Sequence, residues 1–145
     1  MDQEGGIFEG IWSGNRPNGY GLYLGSDLSR LEGIFIDGML HGQGCRVWAD
    51  GSYYIGCFVN GKFEGKGEYY CGNLNWRYSG QFEDSKLDGK GILHYDNGDI
   101  FEGNFQKNRR EGIGKLIKAN GSEVEGAWIS DHLHGTVILT DGVLK

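Results

Sequence analysis

LEGIFIDGMLHGQGCRVWADGS, residues Leu31 to Ser52, holds two strand patterns and two connections. In Leu31-Glu32-Gly33-Ile34-Phe35, Leu31, Gly33 and Phe35 alternate with Glu32 and Ile34 at the period of two that marks a β-strand. A polar connection leads to Gly42-Gln43-Gly44, a second short run Cys45-Arg46-Val47-Trp48, and the turn pair Asp50-Gly51. The same pattern lies over the flanking sequence almost without gaps. Copies begin at Phe8, Leu31, Tyr54, Tyr78, Phe101 and Val124, at spacings of 23, 23, 24, 23 and 23 residues. A repeat of this period predicts serial units, each packed on its neighbours, rather than one central core.

Composition narrows the function. Glycine makes up 28 of the 145 residues, yet it does not recur every third position, so the chain is not collagen-like. Aromatic residues are 13% of the chain and regularly spaced, which argues against disorder. The net charge of −6 argues against nucleic-acid binding and disfavours an anionic membrane surface. No basic run exceeds Arg109-Arg110, and no apolar stretch reaches membrane-spanning length. MDQEGG at the N-terminus lacks the basic and apolar regions of a signal peptide. Cys45, Cys57 and Cys71 are odd in number and without metal-type spacing, so reduced thiols in a cytoplasmic protein are expected.

The glycines and their substitutes fall into groups. Three residues after the second aromatic of each copy stand Asn15, Gly38, Gly61, Ser85, Asn108 and Asp131. Gly, Asn and Asp tolerate positive φ best, so this position is expected to be a left-handed turn residue. Asp-Gly and Asn-Gly at the other connection favour tight hairpin turns. Gly10, Gly33, Gly56, Gly80, Gly103, Gly126 and the Gly-x-Gly pairs share a strand face with the large aromatics. A missing side chain there lets a ring lie on the backbone and lets the strand bend.

The resulting expectation is an all-β fold: one curved, elongated, single-layer antiparallel sheet of about twelve strands in six serial β-hairpins. Residues 1–7 form an N-terminal extension, and 8–145 form the array. By parity, one face carries the aromatics, the glycines and second-strand residues such as Tyr69 and Leu93. The other carries Glu9, Glu32, Glu102 and Glu125 beside Ile11, Ile34 and Cys57, apolar at its N-terminal end and polar further on.

Little in the chain suggests catalysis. The Gly-x-Gly pairs recur without the strand-to-helix context of a phosphate loop. His132 and His134 have the spacing of a same-face pair, but no third ligand is near in sequence. The repeated glutamates lack the oxygen-rich loop a calcium ion needs. No Ser-His-Asp arrangement emerges from the spacing. A non-enzymatic protein with no cofactor and no metal is therefore expected. The aromatic row is the candidate site. A single sheet cannot cover both of its own faces, and an apolar face curled into a groove suits a protein segment, either an extended chain or an amphipathic helix. The expected lining is Trp12, Phe35, Phe58, Phe82, Phe105 and Trp128. The alternative is a self-associating assembly protein, a homo-oligomer paired through the end strands near Phe8 and Val137-Ile138-Leu139.

Aromatic-x-Gly-x-aromatic, a turn, Gly-x-Gly and then Asp/Asn-Gly resembles the MORN repeat, over Phe8 to about Gly142. His41 and His134 match the family's common His before the Gly-x-Gly pair; Asn18, Glu64, Asp88 and Glu111 depart from it, and the sixth copy departs at Val124 and Val137. The resemblance implies a half-pipe of serial hairpins acting as a scaffold, adaptor or membrane-contact module in cytoskeletal, ciliary or membrane-associated assemblies. It also implies a further alternative, the regulatory repeats of a larger enzyme such as a lysine methyltransferase or a phosphoinositide kinase.

Overall fold

The computed structural model describes residues 5–140. Within them the chain forms twelve strands. They pair as the hairpins β1 (Ile7–Ser13) with β2 (Arg16–Leu24), β3 (Arg30–Ile36) with β4 (Met39–Val47), and β5 (Tyr53–Val59) with β6 (Lys62–Cys71). The remaining hairpins are β7 (Trp76–Glu83) with β8 (Lys86–His94), β9 (Ile100–Gln106) with β10 (Arg109–Ile117), and β11 (Glu123–Ile129) with β12 (His132–Thr140). All twelve lie in one sheet in chain order, antiparallel throughout, as the repeat period predicts. The sixth copy closes the same hairpin, from Ile129↔His132 to Glu123↔Thr140. Val137 itself is a position whose side chain lies outside the described residues.

Two kinds of connection alternate. In every copy but the first, the strand pair closes through two residues that both have positive φ, for example Asp37 (50°) with Gly38 (85°), Asp84 (52°) with Ser85 (64°), and Lys107 (48°) with Asn108 (70°). This is the type I′ hairpin turn, whose twist matches that of the strands it joins. The series expected to be left-handed is so in every copy but the first, where Gly14 has φ 65° and Asn15 does not take that conformation. Each second strand consequently starts earlier than its Gly-x-Gly pair suggests, at Arg16 rather than Gly19 in the first copy. Between copies the chain turns at Asp50-Gly51, Asn97-Gly98 and Asn120-Gly121. There the Asx side chain caps the N–H two residues on, as in Ser52 N–H to Asp50 at 2.8 Å and Asp99 N–H to Asn97 at 2.9 Å.

The two glycines of each Gly-x-Gly pair have separate tasks. Pairing runs Gly33↔Gly44 and then Phe35↔Leu40, so the second strand carries two extra residues at that point; the same shift recurs at Gly56/Phe58 and Gly80/Phe82. The first glycine of the pair lies within this bulge. The second joins a lane in which glycines face each other across the sheet, from Gly10↔Gly21 to Gly114↔Gly126. A Cβ on Gly67 would sit 2.4 Å from the Tyr54 hydroxyl oxygen, and one on Gly91 2.2 Å from that of Tyr78. The rings lie directly on the backbone, which is why the lane excludes side chains.

Packing follows from that lane. Phe58, Tyr54, Phe82, Tyr78, Phe105, Phe101 and Trp128 meet in sequence, edge to face, with ring centroids 5.0–5.4 Å apart. Each such contact contributes about 0.5–1.5 kcal/mol beyond the apolar area it buries. The phenols of Tyr54 and Tyr78 donate to the carbonyls of Cys57 and Gln81, each at 2.8 Å, so the buried hydroxyls are satisfied. Leu31 interrupts the chain of rings, and Phe8 with Trp12 and Phe35 forms a separate group before it.

Candidate functional site: the concave groove

Trp48, at the end of β4, and Ser85, in the turn at the opposite rim of the sheet, line one cavity. The ring-bearing face is therefore the concave one. The groove has a volume of about 680 Å³ and runs from Trp48 to Arg110 and Asp131. Its walls carry more open rings than its floor. Trp48, Phe63 and Tyr69 form a cluster with centroids 5.7–6.4 Å apart, and Trp76 stacks on Tyr69 at 5.4 Å. Trp48, Tyr69, Trp76 and Tyr95 are all half-buried. Burial pushes the phenols of Tyr69 and Tyr95 above their ordinary range, so both remain neutral donors at physiological pH.

The six residues expected to line the groove are placed differently from one another. Phe35, Phe58, Phe82, Phe105 and Trp128 are buried, and Trp12 alone is exposed, at 44%. Phe82 and Phe105 still border the cavity as its floor, while Trp12, Phe35, Phe58 and Trp128 do not. The periodic aromatics fill the space between copies: Phe82 and Phe105 each pack on their own strand's first aromatic and on that of the copy before, and Phe35 and Trp128 on that of the copy before. The more accessible rings come from positions without period. The position at the end of each second strand is Gly25, Trp48, Cys71, Tyr95 or Lys118, a series that gives no sequence signal.

Arg110 stands where the groove ends. Its guanidinium lies 4.4 Å from the Trp128 ring centre and meets the Asp131 carboxylate at 3.2 Å. It also donates to the Asp131 carbonyl at 2.8 Å and the Tyr95 hydroxyl at 3.3 Å. At the other end Arg46 lies 4.8 Å over Trp48.

One rim of the groove is built by a ladder between copies. The N–H of the first turn residue donates to a side chain of the preceding copy: Asp37 to Asn18 at 3.1 Å, Asn60 to His41 at 3.4 Å, Asp84 to Glu64, Lys107 to Asp88 at 3.2 Å and Ser130 to Glu111 at 2.7 Å. The residues that depart from the common His thus perform the same task, since any side-chain acceptor of suitable reach suffices.

The outer face keeps apolar residues in solvent near its N-terminal end. Ile11, Tyr20, Ile34 and Ile55 are 42–58% exposed. Cys45, Cys57 and Cys71 are free thiols, and all three are half-buried. Among the described residues no three of His, Cys, Asp and Glu converge on a metal-sized point. Among the described residues no helix is long and apolar enough to cross a membrane.

Fold and groove together define an open β-repeat array, a class of repeat protein that is generally non-catalytic. The MORN-repeat family model matches residues 8–30, 32–53, 54–75, 78–100 and 101–123. The chain belongs to the MORN-repeat family. The sixth hairpin, β11 with β12, lies beyond those matches and continues the sheet in the same pattern. MORN repeats are found in proteins with protein or membrane interactions. Comparison with curated proteins returned no match.

Proposed function

We propose that this array is a non-enzymatic scaffold that holds a segment of a partner protein along its concave groove. One observation carries the reading: the groove's floor is closed by the chain's own ring packing, while Trp48, Tyr69, Trp76 and Tyr95 on its walls keep apolar surface open to solvent. An open apolar concavity of this size suits an extended chain or one face of an amphipathic helix. The net charge of −6 favours a protein segment over an anionic bilayer as occupant.

The test uses the wall rather than the floor. A Tyr69→Ala, Trp76→Ala variant, checked for unchanged circular dichroism, is compared with wild type for capture of partners and then for the affinity of a purified partner. Loss of about tenfold or more in affinity, with the partner cross-linked to groove residues, is expected. Equal affinity for the two proteins would rule the groove out. Floor variants such as Phe58→Ala or Phe82→Ala are unsuitable, because both side chains are buried in the packing.

A further inference from the structure

We infer that Arg46 is a recognition point for a carboxylate, an aspartate or glutamate side chain of the segment held in the groove. The inference rests on the groove reading and adds the chemistry of its occupant. At the same place in each copy the sequence has Tyr23, Arg46, Tyr69, Leu93, Leu116 and Leu139, so Arg46 is the one charged member of an apolar series. It stands on the ring-bearing face, paired with Leu31 on one side and Tyr54 on the other. Its guanidinium covers Trp48, a wall of the groove. Among the described residues it joins no ion pair, and its Nε is buried without a hydrogen-bond partner. A buried donor on a cation is costly to leave unpaired.

Arg110 shows the completed arrangement within the same molecule. It too is the one charged residue of its series, which reads Pro17, Leu40, Phe63, Leu87, Arg110 and Leu133, and it too stacks on a tryptophan. Its carboxylate is supplied by Asp131. At Arg46 no carboxylate of the described residues lies within ion-pair distance, although after the Ser29 hydrogen bonds the Arg46 charge helps hold the Asp27 carboxyl below its usual range. Asp27 and Asp50, which border that end of the groove beside Trp48, are engaged elsewhere. Asp27 accepts from the Ser29 N–H at 2.9 Å and the Ser29 hydroxyl at 2.6 Å, and Asp50 accepts from the Ser52 N–H. Contact of a guanidinium with an indole leaves its terminal N–H groups available for the forked pairing that suits a carboxylate. The occupant is therefore a segment with apolar residues on the ring wall and one acidic residue at Arg46. Because the protein as a whole is acidic, that preference is confined to a single place in the segment.

The experiment selects phage-displayed random 12-residue peptides on the folded protein and measures synthetic copies of the enriched sequences against wild type, Arg46→Leu and Asp27→Asn. Leucine occupies the equivalent place in other copies, so Arg46→Leu is expected to keep the fold and to raise the melting temperature. Enriched peptides are expected to share one Asp or Glu among apolar residues. Their affinity should fall about tenfold or more in Arg46→Leu, fall equally when that acid is changed to Asn or Gln, and rise in Asp27→Asn. Apolar peptides bound equally by wild type and Arg46→Leu, yet lost by Tyr69→Ala, Trp76→Ala, would overturn the carboxylate site while leaving the groove intact. Peptides lost by neither variant would overturn both readings. A lower melting temperature for Arg46→Leu would make Arg46 a structural residue and end the proposal. So would phosphatidylserine vesicles bound through Arg46 when no peptide is enriched, or light scattering showing the groove filled by a second copy.

Discussion

At the scale of single residues, the glycine lane and the rings on it hold the fold by contact rather than by propensity. Gly91→Ala places a methyl group 2.2 Å from the Tyr78 hydroxyl oxygen, in a strand flanked by neighbours that cannot withdraw. Overpacking of this kind costs about 1–3 kcal/mol or more, which the urea midpoint will report. Gly121→Ala meets nothing within 4 Å, but Gly121 has φ 93°. Its cost is therefore the left-handed backbone alone, about 1–2 kcal/mol. Tyr78 provides a second test. Burial holds its phenol up at about 12, above the value near 10 of an unfolded tyrosine. The unfolded chain gives up this proton first. The contribution is thus complete below pH 10 and is lost as pH rises from about 10 to about 12. Tyr78→Phe keeps the ring and removes the titration. It should cost about 1 kcal/mol at neutral pH, for the lost bond to the Gln81 carbonyl, and should soften the decline in stability measured by alkaline urea titration.

Between elements, stability depends on how each hairpin turn is fastened to the copy before it. Asn108 is left-handed at φ 70°, its N–H donates to the Leu87 carbonyl at 2.9 Å, and its side-chain oxygen accepts from the Leu87 N–H at 2.8 Å. Ser85 and Asp131 repeat the side-chain half of this exchange with Phe63 and Arg110. Pro17 shows the same logic in reverse: it has no N–H to give, and Gly38, whose N–H donates to its carbonyl, has no side chain to receive one. Asn108→Ala should cost about 1–3 kcal/mol, losing both the bond and the tolerated backbone. Asn108→Gly keeps the backbone and should cost less. If thermal melts place the two variants together, the left-handed conformation is not what this position contributes. The turn series was legible in the sequence because Gly, Asn and Asp recur at a fixed spacing. The bulge that separates the two glycines of each pair was not, since pairing register depends on two strands at once.

For the whole molecule, strand pairing joins neighbouring strands and the ring contacts join adjacent copies, so stability is a sum of local terms and should be highest where each copy has neighbours on both sides. Tyr54, Tyr78 and Phe101 are fully buried along that middle stretch. Amide hydrogen exchange is expected to be slowest in β5 to β9 and faster in β1 and β12, and a single uniform exchange rate would contradict the additive picture. Phe82→Ala, which removes a ring shared by Tyr54 and Tyr78, should cost about 3–5 kcal/mol, seen as an early urea transition.

Much of this protein was present in the order of its residues. The 23-residue period required serial hairpins, the parity of aromatics and glycines assigned them to one face, and the turn residues marked where the chain reverses. All of these are local patterns, governed by backbone sterics and the two-residue period of a strand. Which aromatics remain reachable was a property of the folded sheet. Phe35, Phe58, Phe82, Phe105 and Trp128 share the concave face with Tyr69, yet they are closed over by rings of the adjacent copies, while Tyr69, Trp48 and Trp76 stay on an open wall. Accessibility depends on curvature and on contacts between residues 20 or more apart in the chain. The same holds for Arg46, without an ion pair among the described residues, beside the paired Arg110: charge is written in the sequence, but the presence of a partner within reach is set by where the strands bring the acids.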